Sequence, residues 1–286
     1  MKKAKENHLR RRLQLVTKRN RLIIASLLVS LIILIGYGTF TVHSKINTPP
    51  PNVTVFVHGY KGTAVSFRSM LNRFENEQQW GKKAIVCRVT ADSQVLCDET
   101  GRFSSSSRLF VQLIFDNNRA SFENTAYWLS KALHTLREKY KFEEVNIVGH
   151  SMGGIVSVKF LEEYAKKTGY PFISKLVVIG SPFSGLKDRS YLNRNSGPVA
   201  MDLMPQSAAL EKLFKQKENF PSDVQVMAIA SSGDQLVSVD SALSLNKIVP
   251  ASNFHHAVIT DPSLNHSGLH ESKKVDQLIG RFLWAE

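Results

Sequence analysis

The sequence predicts an α/β protein: a mostly parallel central sheet with helices on both faces. Three observations lead there. Apolar, β-rich runs alternate along the chain with segments whose apolar residues recur at helical spacing, the pattern of repeated strand–helix–strand units. The first run, Val53-Thr54-Val55-Phe56-Val57, is nearly continuous in apolar character, which suits a strand covered on both sides. Finally, 43% hydrophobic and 21% charged residues in a chain of 286 is an ordinary globular composition, with enough apolar material for a sizeable core.

The N-terminus stands apart. Leu22 to Phe40 is a run of 19 residues without a charge, and as a helix it spans about 28 Å, close to the hydrocarbon thickness of a bilayer. A cleaved signal peptide is the alternative. The run is longer than a typical signal-peptide core and no small-x-small site follows it, so it reads as a single transmembrane signal-anchor helix. The net charge of +13 belongs largely to the preceding tail: residues 1–21 hold nine Lys or Arg against the single acid Glu6. The remainder carries 28 basic and 23 acidic residues, a charge of only +5. By the positive-inside rule the tail is cytoplasmic and the body is extracellular. Nucleic acid is not an expected partner, because that would need a basic face on a folded module. Residues 41–52, with Pro49-Pro50-Pro51, form a stiff extended spacer, and residues 53–286 form the folded domain.

Within that domain, Val53–Val57 is a strand ending at His58-Gly59, and Ser66–Gln79 is helical in pattern. The segment AIVCRVT-ADS-QVLCDET reads as a hairpin. A three-residue loop Ala91–Ser93 sets Thr90 against Gln94 and, counting outward, Cys87 against Cys97. These are the only two cysteines. An exported location permits a disulfide, but opposed cysteines bridge only with suitable cross-strand geometry, so a bond and two free thiols both stand. Ser104–Ser107 is a solvated loop and Arg108–Phe115 a strand. Phe122, Ala126, Leu129, Leu133, Leu136 and Tyr140 then recur at steps of four and three, one stripe of an amphipathic helix. Val145–Val148 is a short buried strand and Gly153–Lys166 a helix. Leu176–Ile179 and Val224–Ala230 are strands, Phe254–Thr260 is a weaker one, and Val275, Leu278, Ile279, Phe282 and Leu283 mark a terminal helix. Phe183–Ser222 breaks the rhythm as a long insertion carrying Met201, Leu203, Met204, Leu210, Leu213 and Phe214. Such insertions are often lids or binding loops; a helical pair that merely packs on the sheet is the alternative.

Gly149-His150-Ser151-Met152-Gly153 fits G-x-S-x-G, and its setting between a strand and a helix is the one a nucleophile elbow requires. The serine sits at a sharp turn, so neighbouring side chains must be absent. The helix that begins there aims its N–H groups at developing negative charge; Gly154 adds a second small residue where helix meets sheet. A nucleophilic serine needs a base, and the base an orienting acid, in the chain order Ser, acid, His. Asp234, just after the strand Val224–Ala230, is the preferred acid, with Asp240 and Asp261 as competitors and Asp223 at the wrong end of its strand. The base is sought before the last helix. His266 is preferred and His270 is the alternative; His255 and His256 fall in a strand pattern and read as packing residues. The oxyanion would be held by the backbone N–H groups of Met152 and Tyr60, the latter in the loop His58–Thr63. His58 reads as a residue that holds this loop by hydrogen bonding. There is no metal-ligand cluster and no nucleotide loop, so neither metal nor cofactor is expected.

With these residues in place, the sequence resembles the α/β-hydrolase superfamily of lipases and esterases, and more narrowly the cell-surface hydrolases of Gram-positive bacteria grouped as DUF915. Phe56–Thr63, Phe115–Asn118, Val145–Gly154 and His266–Glu271 carry the resemblance, which runs from about Pro51 to the C-terminus. It implies the α/β-hydrolase fold and a Ser151, Asp234, His266 triad. The family's acid loop often carries Ser-Asp-Gly, where this chain has Ser238-Val239-Asp240-Ser241, which keeps both Asp234 and Asp240 open. The implied activity is hydrolysis of a small-molecule or lipid ester through an acyl-enzyme. Acyltransferase, thioesterase or peptidase chemistry on the same residues, and a non-catalytic binding protein on the same fold, are the alternatives, since one scaffold hosts many chemistries.

Overall fold

The computed structural model describes Ser26 and residues 52–101, 108–186 and 188–285. The basic tail, the run 22–40 expected as an anchor apart from Ser26, the spacer before Asn52 and the Ser104–Ser107 segment lie outside the described residues. Among those described, no helix is long and apolar enough to cross a membrane.

Eight strands form one sheet: β1 (Val53–Val57), β2 (Lys82–Val89), β3 (Val95–Glu99), β4 (Leu109–Phe115), β5 (Glu144–His150), β6 (Phe172–Ile179), β7 (Gln225–Ser231) and β8 (Phe254–Ile259). Their spatial order is β3-β2-β4-β1-β5-β6-β7-β8. Every neighbouring pair is parallel except β2 with β3. The cysteine hairpin has the expected register, with Thr90 N–H donating to Gln94 O and Cys87 opposite Cys97. The two sulfurs form a disulfide. What the hairpin pattern does not reveal is that β2 also pairs in parallel with β4, so the hairpin is the edge of the main sheet.

Alternation along the strands splits the core in two. Val53, Val55 and Val57 point into one apolar cluster, while Phe56 points into the other. Two long helices cover the first side: α2 (Phe122–Tyr140) and α3 (Met152–Glu163). The start of α2 is fixed by Ser121, whose side chain accepts from Asn124 N–H, and Lys141 ends it in the left-handed region. On the second side lie the short α1 (Arg68–Asn72), continued by a π-helical turn Arg73–Glu77, and the terminal α8 (Lys273–Trp284). There Phe56, Phe67, Phe74, Trp80, Phe110 and Trp284 form an edge-to-face cluster. Each such ring pair contributes about 0.5–1.5 kcal/mol beyond its buried area. Arg73 crosses this side, donating from Nη2 to Asp276 Oδ1 at 3.0 Å and to the His270 carbonyl at 3.1 Å.

Residues 183–222 form three short helices, α4 (Arg189–Asn193), α5 (Pro198–Asp202) and α6 (Ala208–Lys215), and α7 (Val239–Leu243) follows β7. Strand β5 is longer than the apolar run Val145–Val148 because its pairing with β1 and β6 continues through Gly149 and, on the β6 side, His150. That extension delivers Ser151 to the carboxyl end of the sheet, where open α/β sheets build their sites.

Candidate active site

Ser151 is the single residue between β5 and α3, with φ 55° and ψ −126°. A non-glycine residue there is strained by about 1–3 kcal/mol. The turn holds because Ser151 N–H donates to Ile179 O at 2.8 Å, and because α3 closes down on the neighbouring strand. A side chain at Gly153 would meet the Val57 carbonyl of β1, which is why this position of the motif admits no Cβ.

Asp234 lies three residues beyond β7 and is buried. Its Oδ1 accepts from the N–H groups of Leu236 and Val237, both at 2.9 Å, so the loop itself fixes the carboxylate. Its Oδ2 faces His266 Nδ1 at 2.7 Å. A carboxylate can only accept, so Nδ1 carries the proton and Nε2 is left as the basic nitrogen. Both groups flank Gly180, the residue after Ile179: a Cβ there would sit 3.3 Å from Asp234 Oδ2 and 3.4 Å from His266 Cε1. The Ser151 turn and the Asp234–His266 pair therefore both lie against the end of β6, at Ile179 and Gly180.

The competing residues are elsewhere. Asp240 is exposed at the start of α7. Asp261 accepts from Ser263 N–H and Oγ, and Asp223 precedes β7 at its amino end. His255 and His256 are exposed on the edge strand β8, their rings resting on Phe282 and Phe254. His270 Nδ1 donates to Glu271 at 3.0 Å, and its ring stands edge-on to His150 at 4.7 Å. Burial holds His270 below the ordinary histidine range.

His150 is the residue that pattern reading passed over. It occupies the variable position before the serine, the one local signal that could have singled it out. Its Nε2–H donates to the His266 carbonyl at 3.1 Å, and the two rings lie 4.7 Å apart. Burial, followed by the neighbouring His266, pushes its pKa well below the usual value. It is a neutral brace beneath the loop that carries His266.

The loop after β1 closes the other side. A Cβ at Gly59 would fall 2.8 Å from Ser151 Cβ and 3.3 Å from Ser151 Oγ, so glycine here permits the approach. His58 holds the loop, as its position suggested: Nδ1–H donates to Gly59 O at 2.9 Å and Nε2 accepts from Phe115 N–H at 3.0 Å. Burial keeps this imidazole neutral by lowering its pKa. Neither Tyr60 N–H nor Met152 N–H has an acceptor among the described residues.

The insertion straps over this end. Tyr60 Oη donates to Ser196 O at 2.7 Å, and Phe122 N–H donates to Asp202 at 2.7 Å. A cavity of about 360 Å³ opens within the insertion, lined by Phe183, Leu210 and Phe214 together with Gln206, Glu211 and Lys215. Leu213, grouped with Leu210 and Phe214 in the sequence, is buried in the core, as Phe183 and Leu210 also are, which leaves Phe214 as the partly buried apolar residue of the cavity wall. A cleft of about 550 Å³ beside Leu161, Phe172 and Phe220 lies at the amino ends of β6 and β7, away from this chemistry.

The fold has solved counterparts. The lin2722 gene product of Listeria innocua superposes with a TM-score of 0.71 at 24% identity, over 82% of this chain and 95% of that one. A provisionally named cell surface hydrolase from Lactobacillus plantarum WCFS1 gives 0.65 at 22%, over 82% and 92%. The lipase BlEst2 of Bacillus licheniformis gives 0.57 at 15%, over 82% and 93%. At these identities the likeness is one of fold. No curated protein sequence matches significantly. The family described as an alpha/beta hydrolase of unknown function, DUF915, matches residues 41–286, and with the eight-stranded sheet and elbow in view, the chain belongs to that family.

Proposed function

We propose that this protein is a membrane-anchored, extracellular serine hydrolase of carboxylic esters, with Ser151, His266 and Asp234 as its triad. The observation that carries the reading is the His266–Asp234 hydrogen bond at 2.7 Å beside a serine held at φ 55°. In the reaction, Ser151 Oγ attacks the ester carbonyl while His266 Nε2 takes its proton. Asp234 steadies the resulting imidazolium. The Tyr60 and Met152 N–H groups, with no acceptor of their own, stabilise the oxyanion. The imidazolium then protonates the departing alkoxide, leaving an acyl-enzyme, and water repeats the sequence to release acid and free serine.

The insertion 183–222 acts as a lid-like cover, and the cavity at Phe183, Leu210 and Phe214 takes the acyl chain. The uncharged run 22–40 holds the domain at the outer membrane surface through the spacer 41–52, whose twelve residues reach at most about 40 Å. A p-nitrophenyl ester series on the full-length chain tests this reading. Activity should rise from acetyl to octanoyl, fall with Phe214→Glu, and drop by about 10³-fold or more with Ser151→Ala. A Ser151→Ala chain that kept a tenth of the activity would end the proposal; a preference for acetyl esters that ignored Phe214 would end the acyl-cavity assignment.

A further inference from the structure

Two cations stand at the rim of this site without a carboxylate. Lys61, next to Tyr60 in the loop after β1, donates to Asn195 Oδ1 and holds its ammonium 5.2 Å from the Tyr60 ring centre. Arg119, in the loop after β4, lies 5.6 Å from the same ring. Its Nη1 donates to Tyr60 Oη at 3.0 Å, Ser196 O at 3.3 Å and Ser196 Oγ at 3.2 Å. Every acceptor these two heads reach is neutral, both residues are exposed, and neither forms a salt bridge among the described residues. The nearby acid Asp116 is engaged by Arg88 at 2.6 Å. Other exposed cations, such as Lys139 over Tyr140 and Lys167 over Tyr164, also rest on rings without a salt bridge among the described residues, but Lys61 and Arg119 are two that share one ring. Two unneutralised cations on the ring of Tyr60, one residue from the Gly59 that abuts Ser151, make a local field that favours an anion.

The strand order gives this field a direction. Arg119 and Lys61 sit over the ends of β4 and β1, the cavity begins at Phe183 beyond β6, and β5 with Ser151 runs between them. An ester whose acyl chain enters the cavity has its alcohol portion directed toward the cations. We infer that Lys61 and Arg119 form a phosphate subsite, and that the ester cleaved carries a phosphate on its alcohol side, as an acyl glycerophosphate does. Guanidinium is suited to this because its planar donors match phosphate oxygens. The inference rests on the ester-hydrolase reading and adds the substrate class to it. The phosphate could belong to a lipid or to a short-acyl polyol phosphate; the cavity, with Phe214 on its wall, favours the lipid.

The test uses the full-length chain in nonionic detergent with three substrates: 1-octanoylglycerol 3-phosphate, neutral 1-octanoylglycerol, and 1-acetylglycerol 3-phosphate. The phosphate-bearing octanoyl ester should have a kcat/KM about tenfold above the neutral one at low salt, from two exposed ion pairs. That ratio should shrink toward one in 0.5 M salt, because exposed charges are screened, and in a Lys61→Gln/Arg119→Gln double variant. A role of Arg119 in merely holding the 195–196 strap would lower both octanoyl rates together and leave the ratio intact, which would overturn the inference, as would equal rates in the unaltered chain. A preference for the acetyl phosphate ester would keep the cation assignment and reject the lipid source. If no ester is turned over, the hydrolase reading fails. The cation pair is then judged alone by whether glycerol 3-phosphate shifts the Arg119 side-chain NMR signal: a shift supports it and silence rejects it.

Discussion

Asp234 divides its two oxygens between its own loop and His266, and this division separates it from the other acids near the site. The sharp turn at Ser151 was legible in the sequence because its signal is contiguous: strand, glycine, serine, glycine, helix. The sequence left the acid open between Asp234 and Asp240 and the base between His266 and His270. That choice depends on a hydrogen bond between residues 32 apart in the chain, which no local pattern encodes. The distribution of contacts gives distinct expectations for the two histidines. His266→Ala should lower kcat by about 10³-fold or more with a modest change in thermal stability. His270→Ala, which removes a ring packed on His150 and Phe67, should keep a measurable fraction of activity and lose some stability. Assays of the two variants side by side, with melting temperatures, check this; activity surviving in His266→Ala and lost in His270→Ala would move the base.

Among the elements, helix α3 combines two demands. Its first turn serves the elbow, while its last turn buries Glu162, both of whose carboxylate oxygens lack a partner among the described residues. Burial raises this carboxyl from its ordinary 4.5 to about 8. The folded chain therefore keeps the proton up to about pH 8, whereas the unfolded chain loses it near 4.5. Between those values the folded state binds the extra proton, so stability falls as pH rises, by at most about 1.4 kcal/mol per unit. Glu162→Gln should raise the melting temperature at pH 8 by roughly 5 °C or more, with the gain vanishing at pH 4.5. Thermal scans across that range check it; a gain that does not depend on pH would contradict it. Helices such as α2 were legible because their stripe is long. The short helices of the insertion were not, since five to eight residues give too few turns for a period to declare itself.

For the molecule as a whole, the alternation of strands and helices announced a parallel sheet, but not its order. That order comes from pairings such as β2 with β4 and β1 with β5, which join distant segments. Charge asymmetry, by contrast, was legible directly, with nine basic residues ahead of the uncharged run. If the run anchors the chain as proposed, protease added to intact cells should remove the domain and spare a tag at Met1; a protected domain would reverse the orientation. The central claim, that Ser151 is an activated nucleophile, is tested most directly by treating the full-length chain with a fluorophosphonate and mapping the adduct. The account predicts one labelled residue, Ser151, with labelling lost in Ser151→Ala and reduced by about 10²-fold or more in His266→Ala. A folded chain whose Ser151 stays unmodified, or is labelled equally well without His266, would contradict it.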